Sequence, residues 1–202
     1  MSSVLGEPKG KGASYSKRKL EVFKAAAKLF NERGFNNATM DDIAATLNVT
    51  KPALYYYAKS KDEILFEIGS IALGEALLLL ENIFTEERTA ADSLHLFFVS
   101  WTESICQEFG RCMVLVKPEL LGPESRKRSK FSRRTIHHHV ANLIQIGISD
   151  GSIRPCKPDL ISLALFDLFN GIAYWYQEDG LLNPTEIANQ YWCNFGQGLL
   201  EN

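Results

Sequence analysis

Residues 39–65 read TMDDIAATLNVTKPALYYYAKSKDEIL, and this stretch decides the fold. Thr39 stands where a helix N-cap belongs, with Asp42 three residues on as a shorter partner than the Glu or Gln of a full capping box. Ile43, Ala44 and Leu47 supply one short apolar face. Asn48 then interrupts, and asparagine tolerates a left-handed backbone better than most non-glycine residues. Thr50 can cap a second short helix, with Lys51 and Pro52 in a first turn where proline's missing N–H does no harm. Ser60-Lys61-Asp62-Glu63 is an S-x-x-E box and opens a further, long helix. Two short helices across a turn of about four residues make a helix-turn-helix.

Upstream, Leu20, Phe23, Ala27 and Phe30 fall on one helical stripe, which Gly34 stops. The expectation is therefore three helices over residues 17–62, preceded by a Gly/Ser/Lys-rich arm over residues 1–16 without periodicity. Downstream the pattern stays helical: Ala91–Phe109, a break at Pro118, Gly122 and Pro123, then Arg126–Ser149. Asp159–Gln177 is apolar on nearly all sides, and a last helix over residues 184–200 is capped by Asn183-Pro184-Thr185-Glu186. The expected class is all-α, a helix-turn-helix head on a helical body spanning residues 63–202.

The 202 residues carry 46% apolar and 23% charged side chains, enough for a sizeable core. The net charge of −2 hides a split. Residues 1–62 hold 11 Lys/Arg against 6 Asp/Glu, and residues 63–202 hold 11 against 18. A basic head on an acidic body suits contact with a polyanion at one end. Four scattered cysteines without a C-x-x-C pair read as free thiols of a reducing compartment. Met1–Gly12 has no apolar signal core, and Glu67, Glu75 and Glu81 break the greasy run from Ile64 to Phe84, so a cytoplasmic protein without membrane contact is expected. Nucleophile elbows, phosphate loops, dinucleotide fingerprints and zincin pairs are absent, which argues against an enzyme, and no cofactor is indicated.

The residue types at the turn carry a chemistry. The N-terminal residues of a recognition helix face base edges in the major groove, and here these are Thr50, Lys51, Pro52 and Ala53. Lys51 reaches a guanine edge or a phosphate, and Pro52 and Ala53 offer apolar contact to a thymine methyl. Tyr55 and Tyr56 bring hydroxyls for phosphate oxygens, while Tyr57 is either a core aromatic or a further phosphate contact. Thr39 and Lys61 sit at helix N-termini that favour phosphate.

The string KLEVFKAAAKLFNERGF followed by NNATMDDIAATLNVTKPALYYYAKSKDEIL resembles the DNA-binding head of TetR-type transcriptional regulators. The resemblance implies an all-helical homodimer on a palindromic double-stranded operator, with Thr39, Lys51, Tyr55, Tyr56 and Lys61 touching DNA and Leu54 in the core. It departs from the common pattern at Asn48, where a glycine is usual, and in Tyr57-Ala58, where His-Phe is usual. It also implies a body that senses a small-molecule effector between its middle helices, with Phe97, Trp101, Met113, Leu143, Phe166, Phe169, Asn170 and Tyr174 as the lining. The two last long helices would then form the dimer interface, with Gly171, Gly196 and Gly198 permitting close approach. Asn170 to Tyr176, followed by Asp179-Gly180, is similar to regulators of the family that answer to acyl-CoA thioesters and related metabolites.

Three features stay open on the residues alone. Lys9, Lys11, Lys17, Arg18 and Lys19 are either a DNA-contacting arm or a solvated tail. Arg126, Lys127, Arg128, Lys130, Arg133 and Arg134 are either a phosphate-binding cluster or a solvated helix start. His137-His138-His139 point about 100° apart on a helix and cannot all reach one ion. A helical carrier that binds small molecules without specific DNA binding is the competing function.

Overall fold

The computed structural model describes residues 11–83, 87–196 and 198. Regular structure among them is helical. The head comprises α1 (Lys11–Arg33), α2 (Met40–Thr46), α3 (Lys51–Tyr55) and the start of α4 (Lys61–Asn82). The body continues with α5 (Ala90–Cys106), α6 (Glu108–Leu115), a 3-10 turn at Pro118–Leu120 and α7 (Pro123–Asp150). It ends with α8 (Pro158–Asn170), α9 (Ile172–Trp175), α10 (Pro184–Tyr191) and a π-helical turn at Trp192–Gly196. The chain thus has the all-α class and the two-part plan expected of it.

Helix α1 starts six residues earlier than its apolar stripe suggests, so residues 11–16 are helix rather than arm. Propagation onto an already formed helix needs no new nucleus, and no proline stands between Lys11 and Lys17 to stop it. Residues 1–10, with Lys9, lie outside the described residues. Gly34 ends α1 at a φ of 79°, which a side chain would oppose.

The caps depart from expectation in an instructive way. Asp42, the shorter partner, completes the box: Thr39 Oγ1 accepts from Asp42 N at 3.1 Å, and Asp42 Oδ2 accepts from Thr39 N at 2.9 Å. At Ser60 only half the box forms. Ser60 Oγ accepts from Glu63 N, but the Glu63 carboxylate accepts instead from Lys59 N at 2.7 Å. The extra methylene of glutamate carries it one residue further back.

The helix expected over Ala91–Phe109 is two. Gln107 is extended between α5 and α6, and Gly110 packs on the Ser104 carbonyl so closely that a Cβ would overlap it. Likewise the helix expected over Asp159–Gln177 breaks at Gly171 into α8 and the single turn of α9, and Tyr176 is extended. The helix expected to reach residue 200 is regular only to Tyr191; Gly196 sits against the Trp192 indole of its own chain, and residues 197 and 199–202 lie outside the described residues.

Two cores result. The head core gathers Val22, Phe23, Ala26, Phe30, Ile43, Leu54 and Ile64 and also draws Cys112, Val116 and Leu121 from beyond α5. The body core is aromatic, centred on Phe97, Phe98, Trp101, Phe166 and Phe169. Helix α6 therefore belongs to both units. Residues 64, 65 and 68 of α4 also pack into the head core.

Candidate nucleic-acid interface and effector cavity

The turn between α2 and α3 forms because Asn48 takes φ 53°, the left-handed conformation its residue type suggests. Leu54 is fully buried and anchors α3 to the head core, so the other faces of this short helix point outward. Thr50 Oγ1 accepts from Ala53 N at 3.4 Å and caps it. Lys51, Pro52 and Ala53 are exposed at its N-terminus. Tyr55 and Tyr56 are 44% and 71% exposed, high values for large aromatics. Tyr57 is half-buried, its ring edge-on to Tyr56 at 5.3 Å.

Lys51 is not idle. Its Nζ lies 3.0 Å from Asp41 on α2, and that hydrogen bond, with the attraction behind it, raises the lysine pKa. Both partners are exposed, so the pair is screened by solvent, contributes little and yields readily to a stronger anion. Lys61 differs from expectation. Its ammonium donates to the carbonyls of Phe35 at 2.7 Å, Asn36 at 3.2 Å and Ala38 at 3.0 Å, and lies 4.6 Å from the Phe35 ring. All three N–H donors are engaged in clamping the α1–α2 loop, so its side chain is not presented to a phosphate. Thr39 is exposed at the N-terminus of α2. The structure thus places seven of the eight expected contact residues on the surface of the head and turns the eighth inward.

In the body, the expected pocket residues separate into groups. Phe97, Trp101, Phe166 and Asn170 meet. Trp101 Nε1 donates to Asn170 Oδ1 at 2.9 Å, and the Trp101 and Phe166 rings cross edge-to-face at 5.0 Å. A cavity of about 130 Å³ lies beside Phe97 and Trp101, lined on the α4 side by the exposed Glu75 with Ala76 and Leu79. Phe169 is stacked on Phe98 at 4.6 Å and Leu143 is buried in the same core. Met113 borders a different, small cavity under the head. Tyr174 is 68% exposed and does not line the interior; Ile172 and Ala173 of the same turn face inward instead.

An open groove of about 1050 Å³ adjoins the cavity beside Phe97 and Trp101 at Glu75 and Ser104 and runs between α1, the α5–α6 corner and the start of α10. Glu75, Glu103, Glu108, Glu178 and Glu186 line it against Lys24 alone, which repels an anionic ligand.

The basic cluster divides. Lys127, Arg128, Lys130 and Arg134 are exposed. Arg126 donates to the Glu119 and Leu121 carbonyls, and Arg133 to the Met113 carbonyl at 2.8 Å. Sequence reasoning missed this inward turn, though the signal was present: Arg133 precedes Ile136, Val140 and Leu143 on the buried stripe of α7. His137 contacts Ser162 Oγ at 3.3 Å and the Phe166 ring at 4.4 Å. Burial lowers its pKa, helped by Arg133 and opposed by Asp167. Burial likewise pushes the Cys106 thiol to about 11 and Cys112 to about 12, which makes both unreactive.

Two further residues were not anticipated. Asp62, in the first turn of α4, accepts from Gly122 N and Ser125 Oγ and so caps α7. Asn31 on α1 donates to Glu108 O at 3.0 Å and Glu108 Oε2 at 2.8 Å. Head and body are tied at both points.

Comparison with known proteins fits this geometry. Residues 22–68 match the bacterial regulatory proteins of the tetR family, and residues 87–199 match the tetracyclin repressor-like C-terminal domain. The chain belongs to the TetR family. It is 36% identical over 181 residues to the HTH-type transcriptional regulator YdgC of Bacillus subtilis, covering 89% of this chain and 90% of YdgC. The ketosteroid transcriptional regulator KstR2 of Mycobacterium tuberculosis superposes with a TM-score of 0.83 at 21% identity, over 99% of this chain and 100% of KstR2. AibR in complex with isovaleryl coenzyme A and operator DNA superposes at 0.75 and 20% identity, over 86% and 95% of the two chains. As a TetR-family transcriptional regulator, the protein uses its α2–α3 helix-turn-helix as a DNA-binding unit. Among the described residues no helix is long and apolar enough to cross a membrane.

Proposed function

We propose that this TetR-family regulator is a homodimeric repressor that holds a palindromic operator through two α3 helices and is released by a small-molecule effector. The observation that carries the reading is the α3 surface, where a buried Leu54 fixes the helix and leaves Lys51, Pro52, Ala53, Tyr55 and Tyr56 outward. Lys51, Pro52 and Ala53 read base edges, with Thr50 as their cap. Thr39, Tyr55 and Tyr56 hold phosphates. Lys61 acts as a positioning residue for the α1–α2 loop.

The effector enters where Phe97, Trp101, Phe166 and Asn170 meet. The space there is small, so the ligand must displace side chains. That demand supports a switch: an effector that fits only a shifted arrangement of α4, α6 and α7 binds the DNA-free spacing more tightly and weakens operator binding. Asp62 and the Asn31–Glu108 contact would carry the shift to the head. The isovaleryl coenzyme A complex of AibR supports an acyl thioester as the class to test first. The dimer face is the outward side of α8 and α9, where Leu160, Leu163, Tyr174 and Trp175 are all at least half exposed in the single chain.

The test is fluorescence anisotropy of the full chain with DNA from upstream of its own gene against shuffled DNA, over a salt series. Tighter binding to the upstream DNA, falling steeply with salt, supports the repressor. Equal binding of both at physiological salt points to the carrier instead.

A further inference from the structure

The inward Arg133 is charged, poorly hydrated and without an acid. Its Nη2 donates to the Met113 carbonyl, its Nε is buried with no partner, and no ion pair reaches it among the described residues. Glu119 pulls on it only from a distance, and burial lowers its pKa. A guanidinium has five donors in a planar fork suited to a carboxylate or phosphate. Taking such a cation out of water without a counter-charge is costly, and an anion is what offsets it.

The space around Arg133 has room for one oxygen of such a partner before any side chain moves. It borders two cavities of about 20 Å³, each the size of one water or one carboxylate oxygen. One is walled mostly by apolar side chains, with Ser70, Ser129 and Ser132 at its edge; the other is lined by Trp101, His137, Phe166 and Asn170. Leu73 separates them, and Trp101 separates the second from the 130 Å³ cavity beside Phe97. Arg133 lies at the first two spaces, and Phe97 and Trp101 lie at the third, whose lining also includes Glu75.

We infer that the effector is an amphipathic anion whose charged group is received by Arg133 and whose apolar body lies between Trp101 and Phe97. This deepens the reading of the chain as an effector-released regulator and rests on it. The same residue links binding to response, because the guanidinium that receives the anion also donates to the Met113 carbonyl, and Met113 is on α6, the helix shared by both cores. The anion has two possible sources, the carboxylate of a free acid or a phosphate of a coenzyme thioester.

The experiment is isothermal titration calorimetry of the full chain, without DNA, using hexanoate, hexanamide and hexanoyl coenzyme A. Wild type, Arg133→Met and Arg133→Lys are compared. The expected result is at least tenfold tighter binding of hexanoate than of hexanamide, lost in Arg133→Met and partly kept in Arg133→Lys. If the thioester alone binds, and does so tenfold more weakly in Arg133→Met, the anion is a coenzyme phosphate. Equal binding of acid and amide by wild type with no Arg133-dependent thioester binding, binding that survives Arg133→Met unchanged, or no binding of any probe overturns the inference. The wild-type comparison holds even if Arg133→Met misfolds. Operator anisotropy with the same probes separates the two readings. Arg133-dependent binding without DNA release leaves the anion site and removes the release mechanism, and release indifferent to Arg133 does the reverse.

Discussion

At the residue scale, two lysines ten positions apart do opposite work. Lys51 is held only by the exposed Asp41 and is available to a base edge. Lys51→Ala is expected to reduce discrimination between operator and shuffled DNA by about 1–3 kcal/mol, while the melting temperature barely moves. Lys61 is committed to three carbonyls. Lys61→Ala leaves those acceptors without their donor and is expected to cost about 1–3 kcal/mol of stability, seen as a lower urea midpoint. A fully stable Lys61→Ala protein with weaker DNA binding would return Lys61 to a direct contact. Asp42 adds a pH signature. The Thr39 hydroxyl, the Thr39 N–H and then Arg33 hold its pKa below the ordinary 3.8. Because the folded value is the lower one, its contribution is complete above that ordinary value and drains away as pH falls below it. Acid titration followed by circular dichroism should therefore separate wild type from Asp42→Asn at neutral pH and bring the two together in strong acid.

At the element scale, the joint between α5 and α6 is the sharpest demand on sequence. Gly110→Ala drives a methyl into the Ser104 carbonyl and must move α6. We expect a loss of about 1–3 kcal/mol, and weaker operator binding as well, because α6 presents Glu108 to Asn31. Unchanged anisotropy with a lowered melting temperature would uncouple α6 from the head. This joint also marks the limit of what could be read in advance. The head was legible because caps at Thr39 and Thr50, a left-handed Asn48 and a short apolar face all agree locally. The body's breaks at Gln107 and Gly171 were not, since apolar periodicity runs straight through both. They are set by tertiary contacts, the fold-back of α6 and the turn of α9. The candidate site divides in the same way. The α3 contacts follow from helix position, whereas the outward face of Tyr174 could not be read from a segment apolar on nearly all sides, and Lys61 was misread because carbonyls 23 to 26 residues away claim its ammonium.

At the scale of the whole molecule, the charge split and the exposed apolar face have one explanation. The basic end is the head, and the surplus of acid is spread over the body, where it repels DNA from most of the surface outside the exposed Lys127, Arg128, Lys130 and Arg134. A single head of this size grips few phosphates, so tight binding needs two heads held at a fixed spacing. Leu163 and Trp175 are 50% and 51% exposed on the α8–α9 face, so glutamate at either is tolerated by the isolated fold and rejected by a buried interface. The double variant Leu163→Glu with Trp175→Glu should halve the mass seen by light scattering and abolish the concentration dependence of the melting temperature. Operator affinity should fall by about 10²–10⁴, the avidity of a second linked site, while affinity for a single half-site stays as it was. Retention of the dimer mass in that variant would move the interface to another face. Loss of the dimer with full operator affinity would mean that one head suffices, and that the effector could not act by changing the distance between two.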